Sequence, residues 1–207
     1  QKAAAAGKRA VINLSIGSQY GPHDGTGALD VAAGNVAAST PVIVAMGNEQ
    51  ADAIHASTTV AASGSALFTL TQAAQTLVTL DFWVPFGDFY TVQVATSATA
   101  TPVQCLPGSD CSGDIAGNTV DIYNKTGSHP SGDSEMLIDI SRGGGLTFTA
   151  WRITLLRGAN GATGRIDGWV TTSGASFTSL ADSSGTISSP ATANNVVAVG
   201  SYCSKRT

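Results

Sequence analysis

The segment LVTLDFWV, residues 77–84, carries the clearest strand pattern in the middle of the chain. Its apolar side chains Val78, Leu80, Phe82 and Val84 recur at every second position. A period of two places these side chains on one face of a β-strand, where they pack against a core. The segment therefore predicts a strand of an antiparallel sheet with one buried face.

The same alternation extends through the middle of the sequence. Further strands are predicted at residues 90–94 and 136–140, and at NTVDIYN (118–124), LTFTAWRITLLRG (146–158) and RIDGWV (165–170). Turns rich in Gly, Ser and Asp, such as GSDCSGDIAGN (108–118) and RGGG (142–145), separate them. Many short strands with such turns are typical of an antiparallel sandwich or barrel. We therefore predict a self-contained β-sandwich over residues 57–180, with its two ends close together.

Outside this region the pattern changes at both ends of the chain. RAVINLSIG (9–17) and PVIVAMGN (41–48) are apolar, strand-like runs, and the segment between them has Leu29, Ala32, Ala33 and Val36 at helical spacing. A strand, a helix and a strand in about 40 residues predict a right-handed crossover and a parallel sheet. A strand-like pattern returns in NNVVAVGS (194–201). The simplest layout is an α/β domain interrupted by the sandwich.

The composition limits the classes of partner and cofactor. Charged residues make up 12% of the 207 residues, the net charge is −4, and Lys and Arg cluster only at the two ends. Neither a nucleic-acid partner nor an acidic-lipid surface is expected. No apolar run reaches the roughly 18 residues of a membrane span, and no motif indicates a cofactor. Asp110, Asp114 and Asn118 offer oxygen ligands but lack EF-hand spacing, so we interpret them as solvated turn residues and predict no metal site.

The three cysteines divide into a pair and a single residue. Cys105 and Cys111 flank LPGSD, whose Pro-Gly pair favours a tight turn. We predict a disulfide between them, which implies an oxidising compartment, and two separate thiols on a turn are the alternative. Cys203 has no obvious partner and is predicted to be a small core residue.

The two ends of the chain carry a resemblance to a known family. AVINLSIG (10–17), the helix after it and PVIVAMGNE (41–49) resemble subtilisin-like serine proteases, peptidase family S8, from the substrate-lining strand to the oxyanion-hole asparagine. GTISSPATANNVVAVGSY (185–202) is similar to the family's next strand region. GPHDGTGALD (21–30) and IHAS (54–57) resemble a bacterial branch, including spore-germination proteases, with a jelly-roll-like insertion at this point.

This resemblance implies a fold class of α/β plus all-β. Residues 1–56 and 181–207 would be parts of a subtilisin-like parallel-sheet domain, and residues 57–180 an inserted antiparallel β-sandwich. The chain would then be an internal fragment of a bacterial serine endopeptidase that is secreted or associated with the cell envelope. Its partners would be a peptide or protein substrate and the remainder of the protease domain.

The resemblance also implies roles for seven residues. Asn48 would stabilise the oxyanion of the transition state, although an asparagine after a strand also suits a left-handed turn without any catalytic role. The backbone of Ser15, Ile16 and Gly17 would pair with an extended substrate. Ala45, Met46 and Gly47 would form a wall of the pocket for the residue before the cut.

The sequence lacks the motifs that surround a subtilisin catalytic triad. His23, His55 and His129 stand in GPHDG, AIHAS and GSHPS, which differ from those motifs. His23 and the adjacent Asp24 are interpreted as an exposed loop pair. We therefore expect the triad in flanking sequence and no peptidase activity from this chain alone. The alternative hypothesis is a non-catalytic module whose sandwich binds carbohydrate or protein.

Overall fold

The computed structural model describes residues 2–127, 129–159, 161 and 163–201. These residues fall into two units. The terminal unit contains the described residues up to Ala51 and those from Gly185 onward, and the central unit is Asp52–Ser184. The described helices have four and ten residues, so neither could span a bilayer. Cys203 lies outside the described residues.

The described part of the chain is built mainly from strands. Its helices are α1 (Lys2–Ala5) and α2 (Ala28–Ala37). Its strands are β1 (Ile12–Leu14), β2 (Val42–Ala45), β3 (His55–Thr59), β4 (Ser65–Gln72), β5 (Leu77–Val84), β6 (Tyr90–Ala95), β7 (Val103–Cys105), β8 (Asp110–Ile115), β9 (Asn118–Lys125), β10 (Ser134–Ser141), β11 (Ala150–Arg157), β12 (Arg165–Val170), β13 (Ala175–Phe177) and β14 (Val197–Val199).

The terminal unit contains a small parallel sheet with the strand order β1-β2-β14. The register places Ile12 of β1 opposite Val42 of β2. Val42 and Val44 are buried and pack with Ala191 in one cluster. All residues of β14 are exposed. The core of this unit is therefore small.

Helix α2 buries only part of the apolar face that the sequence predicts. Its buried residues are Asp30, Ala33 and Gly34. Leu29 and Val36 are instead 46% and 45% exposed. The spacing indicated a helix correctly, but the face that contacts the unit is made of small and polar residues.

Polar contacts hold α2 against the segment that precedes β14. The Asp30 carboxylate accepts hydrogen bonds from the hydroxyls of Ser189 (2.9 Å) and Thr192 (2.7 Å). A Cβ atom at Gly34 would lie 2.9 Å from the Asn194 carbonyl oxygen. Glycine is therefore required at this contact, which explains why α2 buries its small residues.

The central unit consists of two antiparallel sheets. The six-stranded sheet has the order β3-β12-β5-β10-β9-β8, and the five-stranded sheet has the order β13-β4-β11-β6-β7. Side chains of both sheets form one continuous buried cluster. Phe68 of β4 meets Phe82 of β5 edge to face, with ring centroids 5.0 Å apart. Edge-to-face packing of buried rings favours this sheet-on-sheet arrangement.

A disulfide links the two sheets of the central unit, and a backbone hydrogen bond joins the segments where the chain enters and leaves it. Cys105 of β7 and Cys111 of β8 form the predicted disulfide, with their Cα atoms 5.6 Å apart. It joins edge strands of the two sheets. At the other end, the Ser57 N–H donates to the Leu180 carbonyl (3.1 Å), so the chain leaves the unit close to where it enters.

One predicted turn is a strand hairpin instead. Asp110 and Asp114 belong to β8, and Asn118 is a buried residue of β9. The Asn118 amide donates to the Ile115 carbonyl at 2.7 Å. The interpretation of these three residues as solvated turn residues is therefore wrong for Asn118, whose side chain is a buried structural group.

The predicted fold class is also wrong. A subtilisin-like α/β domain needs a wide parallel sheet covered by helices. The described residues instead provide three parallel strands of three or four residues and helices of four and ten residues. The chain is nearly all β, and most of its strands are antiparallel. The short apolar runs near the two ends predicted more parallel sheet than their few strand residues form.

Candidate functional site

The predicted site residues of the terminal unit follow the ends of two neighbouring parallel strands. β1 ends at Leu14 and β2 at Ala45, and Leu14 lies opposite Val44. The chain leaves these strands through residues 15–17 and 46–48. Both segments therefore emerge at the same edge of the sheet, which is where ligand sites of parallel sheets form.

Asn48 presents its side chain at this edge. The residue is exposed, and its carboxamide has no hydrogen-bond partner among the described residues. Gly47 has a φ of 94°, which favours glycine. The Asn48 N–H donates to Glu49 Oε2 at 2.8 Å. The turn is thus held through its backbone, and the Asn48 carboxamide is available to a ligand.

Residues 15–17 offer an open backbone edge. Ser15, Ile16 and Gly17 are all exposed, and Ile16 is 57% exposed. Their backbone groups make no hydrogen bond to another described residue. Because β1 is an edge strand of its sheet, an extended chain has access to these groups.

A segment far along the chain, which includes Ser188 and Ser189, makes backbone hydrogen bonds at this edge. The Ser188 N–H donates to the Met46 carbonyl (3.0 Å). Ser18 and Ser189 exchange two backbone hydrogen bonds of 2.9 Å each. The segment therefore ties together the chains that leave β1 and β2. No local sequence pattern predicts this contact, because the whole central unit separates the partners along the chain.

Close packing of Ser188 explains the glycine at position 17. A Cβ atom at Gly17 would lie 2.3 Å from Ser188 Oγ. Ser188 is 2% exposed, and its buried hydroxyl has no partner among the described residues. A buried hydroxyl without a partner costs stability unless a ligand or water satisfies it.

Gln19 contacts the turn that carries Asn48. It is 9% exposed, and its Nε2 donates to the Thr186 carbonyl (3.2 Å) and lies 3.5 Å from Glu49 Oε2. Its Oε1 is buried without a partner in the described residues. Glu49 thus accepts hydrogen bonds from Asn48 and Gln19, which fixes the turn that carries Asn48.

His23 and Asp24 are directed to different partners. His23 Nδ1 lies 2.7 Å from the Ile187 carbonyl oxygen, and its Nε2 lies 3.0 Å from the Gln19 carbonyl oxygen. Asp24 Oδ1 accepts from the Thr26 N–H at 2.8 Å. These contacts position loops and do not form a catalytic dyad.

The histidines of the central unit have structural surroundings. His55 is 1% exposed, with Nε2 3.2 Å from Asp167 Oδ1 and Nδ1 3.3 Å from the Asp182 carbonyl oxygen. Burial alone would raise the pKa of Asp167, but hydrogen bonds from His55 and Arg165 outweigh it and lower that pKa. His129 packs its ring edge to face on Trp83. His129 Nδ1 also lies 3.0 Å from the hydroxyl oxygen of Ser131, two residues further along the same turn.

Comparisons with known proteins find a similar fold among solved structures. No protein-family model and no curated protein sequence matches the chain. A solved structure described as the CspB protease of Clostridium perfringens is similar, with 24% sequence identity and a TM-score of 0.83. The match covers 98% of this chain and 44% of that chain. The chain thus spans less than half the length of that protease, and the likeness establishes its fold.

The resemblance of the two ends to subtilisin-like serine proteases does not hold as a family assignment. The described residues form a mostly β chain with a single helix longer than four residues, not a subtilisin-like α/β domain. The short segments that carried the resemblance contribute three short parallel strands, which are too few to define that domain.

Proposed function

We propose that the chain is part of a protease that hydrolyses peptide bonds as a serine endopeptidase. One observation carries this proposal: the unpartnered carboxamide of Asn48 and the open backbone of residues 15–17 belong to segments that emerge at the same edge of the parallel sheet. The structural likeness to a protease supports it. The chain would supply an oxyanion donor and part of a substrate cleft.

The proposed roles follow from the positions of the groups. An extended substrate would pair with the backbone of Ser15, Ile16 and Gly17 as an added strand. Ala45, Met46 and Gly47 would border the side chain before the scissile bond. The carboxamide N–H groups of Asn48 would then donate to the carbonyl oxygen as negative charge develops on it. This hydrogen bond stabilises the transition state more than the bound substrate and so lowers the barrier.

The reaction also needs a nucleophile and a base, which we place in protein outside this chain. A serine hydroxyl must be activated by an imidazole within hydrogen-bond reach. The terminal unit also exposes apolar side chains that such protein would cover, including Val11 (64%), Val197 (54%) and Val199 (52%). We therefore propose that the remainder of a protease domain packs on this unit.

The buried disulfide supports an extracellular setting for this protease. Cys105 is fully buried, and the bond joins the two sheets of the central unit. Such bonds persist in secreted proteins and in the cell envelope, where the surroundings are oxidising. We propose secretion or attachment to the envelope on this ground.

The test is an Asn48→Ala substitution in the protein expressed with its flanking coding sequence. We expect kcat for peptide cleavage to fall about 100-fold or more, with a smaller change in KM, because only transition-state stabilisation is lost. Asn35→Ala is the matched control, since Asn35 is an exposed residue of α2. An unchanged kcat in the Asn48→Ala variant would remove the oxyanion role.

The chain of 207 residues provides a second control. A fluorophosphonate probe labels an activated serine, so we expect labelling of the longer protein and none of this chain. Stoichiometric labelling of this chain alone would show that the nucleophile lies within it and would contradict the division of roles.

A further inference from the structure

A cavity of about 340 Å³ opens on the outer face of the five-stranded sheet. We call it the Arg152 pocket. It is lined by Gln93 and Ala95 of β6, Arg152 and Thr154 of β11, Ser97, and the segment 98–102 that leads to β7. It lies in the central unit, so it is separate from the edge that carries Asn48.

Small side chains and a fixed loop create this space. Arg152 lies opposite Ala95 on one side and Thr69 on the other, so its neighbours in the sheet are short. The loop wall is held by the Ala100 N–H, which donates to Ser97 Oγ at 3.1 Å. Gln93 is fixed by a 2.7 Å hydrogen bond from its Nε2 to Gln104 Oε1.

The charge of Arg152 is not neutralised by the protein. Its guanidinium has no ion pair or hydrogen bond among the described residues. The strands of this sheet contain one other charged residue, Arg157, which is buried and paired with Asp88 at 2.7 Å. No carboxylate therefore stands on the strands around Arg152 to compete with a bound anion.

The other polar groups of the pocket also suit an anion. The Thr154 hydroxyl has no partner among the described residues, and Ser97 contributes a second hydroxyl. A guanidinium presents a planar set of donors that matches a carboxylate or phosphate group, and a hydroxyl adds a further donor. The volume equals that of roughly ten water molecules, which is more than a bare ion needs.

We propose that the Arg152 pocket binds a small organic anion through a carboxylate or phosphate group that pairs with the Arg152 guanidinium. The apolar wall formed by Ala95, Ala98 and Pro102 would contact the body of the ligand. Nothing in the proposed peptidase chemistry requires this site, so it is an additional binding function of the sandwich.

The experiment uses three sugars that share one ring and differ in charge. Glucuronate carries a carboxylate, glucose 6-phosphate carries a phosphate, and glucose carries neither. Calorimetry on the full chain is expected to detect binding of at least one anion and no binding of glucose. Amide shifts in two-dimensional NMR are expected to concentrate in residues 93–102 and 152–154. Which anion binds distinguishes a carboxylate ligand from a phosphate ligand.

Two substitutions test the role of the guanidinium. Arg152→Gln is expected to weaken anion binding about tenfold or more, and Arg152→Lys to weaken it less because the charge remains without the planar fork. Arg142→Gln is the control, because Arg142 lies in a loop after β10 and does not line the pocket. Thermal unfolding confirms that each variant is folded.

Several results would overturn the proposal. Failure of both anions to bind, or equal binding of glucose, would show that the pocket does not select negative charge. Anion binding that is unchanged in Arg152→Gln, or weakened equally in Arg142→Gln, would show that the anion does not pair with Arg152.

Discussion

The two units of the chain differ in how they are stabilised. In the central unit, side chains of both sheets form one continuous buried cluster that includes Trp151, Phe68 and Phe82. In the terminal unit, the buried cluster consists of Val42, Val44 and Ala191. Burial of apolar surface is the main favourable term in folding. The central unit therefore has most of the stability, and the terminal unit has the candidate functional site.

The two units also differ in the contacts that reinforce them. The central unit also contains a disulfide and the buried Asp88–Arg157 pair. The terminal unit exposes apolar residues on its helix and its edge strands. Regions with few buried apolar contacts open at low free energy. The terminal unit is thus expected to open locally more readily than the central unit.

A cavity in each core should affect the two units differently. Phe82 is fully buried, so Phe82→Ala is expected to lower the free energy of unfolding of the central unit by about 3–5 kcal/mol. Val44→Ala removes less surface from the terminal core and should leave the central unit unchanged. The three tryptophans, Trp83, Trp151 and Trp169, belong to the central unit and report its denaturant-induced unfolding by fluorescence.

Exposed residues and the second unit provide the controls for this cavity experiment. Phe86 is 70% exposed, so Phe86→Ala should change the fluorescence transition by less than about 0.5 kcal/mol. If Val44→Ala shifts that transition as much as Phe82→Ala does, the two units unfold together and the comparison is wrong.

The second test uses acid to weaken the central unit. Burial alone would raise the pKa of Asp88, but hydrogen bonds from the Gly164 N–H and the Arg157 guanidinium outweigh it and lower that pKa below 3.8. A carboxyl group whose pKa is lower in the folded state than in the unfolded state stabilises the fold at pH values above its unfolded-state pKa. This stabilisation is lost as the pH falls through the folded-state pKa. We therefore expect the free energy of unfolding to fall as the pH drops below about 4.

A titration and a variant separate Asp88 from the other carboxylates. Carbon NMR of the Asp88 side chain should give a pKa below 3.8. The stability difference between the native chain and Asp88→Asn should shrink as the pH falls, because a protonated carboxyl resembles the amide. A measured Asp88 pKa above 3.8, or a stability difference that is constant down to acid pH, would contradict this account.

The strands of the central unit were largely predictable from the sequence. The alternating residues Val78, Leu80 and Phe82 are buried on β5, and a strand forms at each predicted segment. A period of two is a local property, so it survives in a single sequence. The hairpin at residues 110–118 was missed because its Gly, Ser and Asp residues also suit turns.

The terminal unit and its site were predicted less well. The face of α2 was misjudged because tertiary contacts of Asp30 and Gly34, not the hydrophobicity of Leu29 and Val36, decide which side is buried. The roles of Ser188 and Gln19 follow from packing between distant segments, which no local pattern records. The functional roles predicted for Ser15–Gly17 and Asn48 stay proposals, although these residues all lie at one edge of the sheet.

Substitutions on the exposed apolar face of α2 should have small effects in this chain. Leu29 and Val36 of α2 are about half exposed, so Leu29→Gln and Val36→Gln should change the unfolding of this chain by less than about 0.5 kcal/mol. In the longer protein that we propose, Leu29 and Val36 would be covered. Replacing either one would then lower the free energy of unfolding by about 1.5–3 kcal/mol. Amide hydrogen exchange of α2 measures both cases, since local opening of the helix exposes its N–H groups. Thr40→Ala, just beyond α2, is the control for unspecific effects on the helix. Equal small effects in both proteins would show that nothing packs on α2, and the cover would then have to lie on the edge strands β1 and β14 alone.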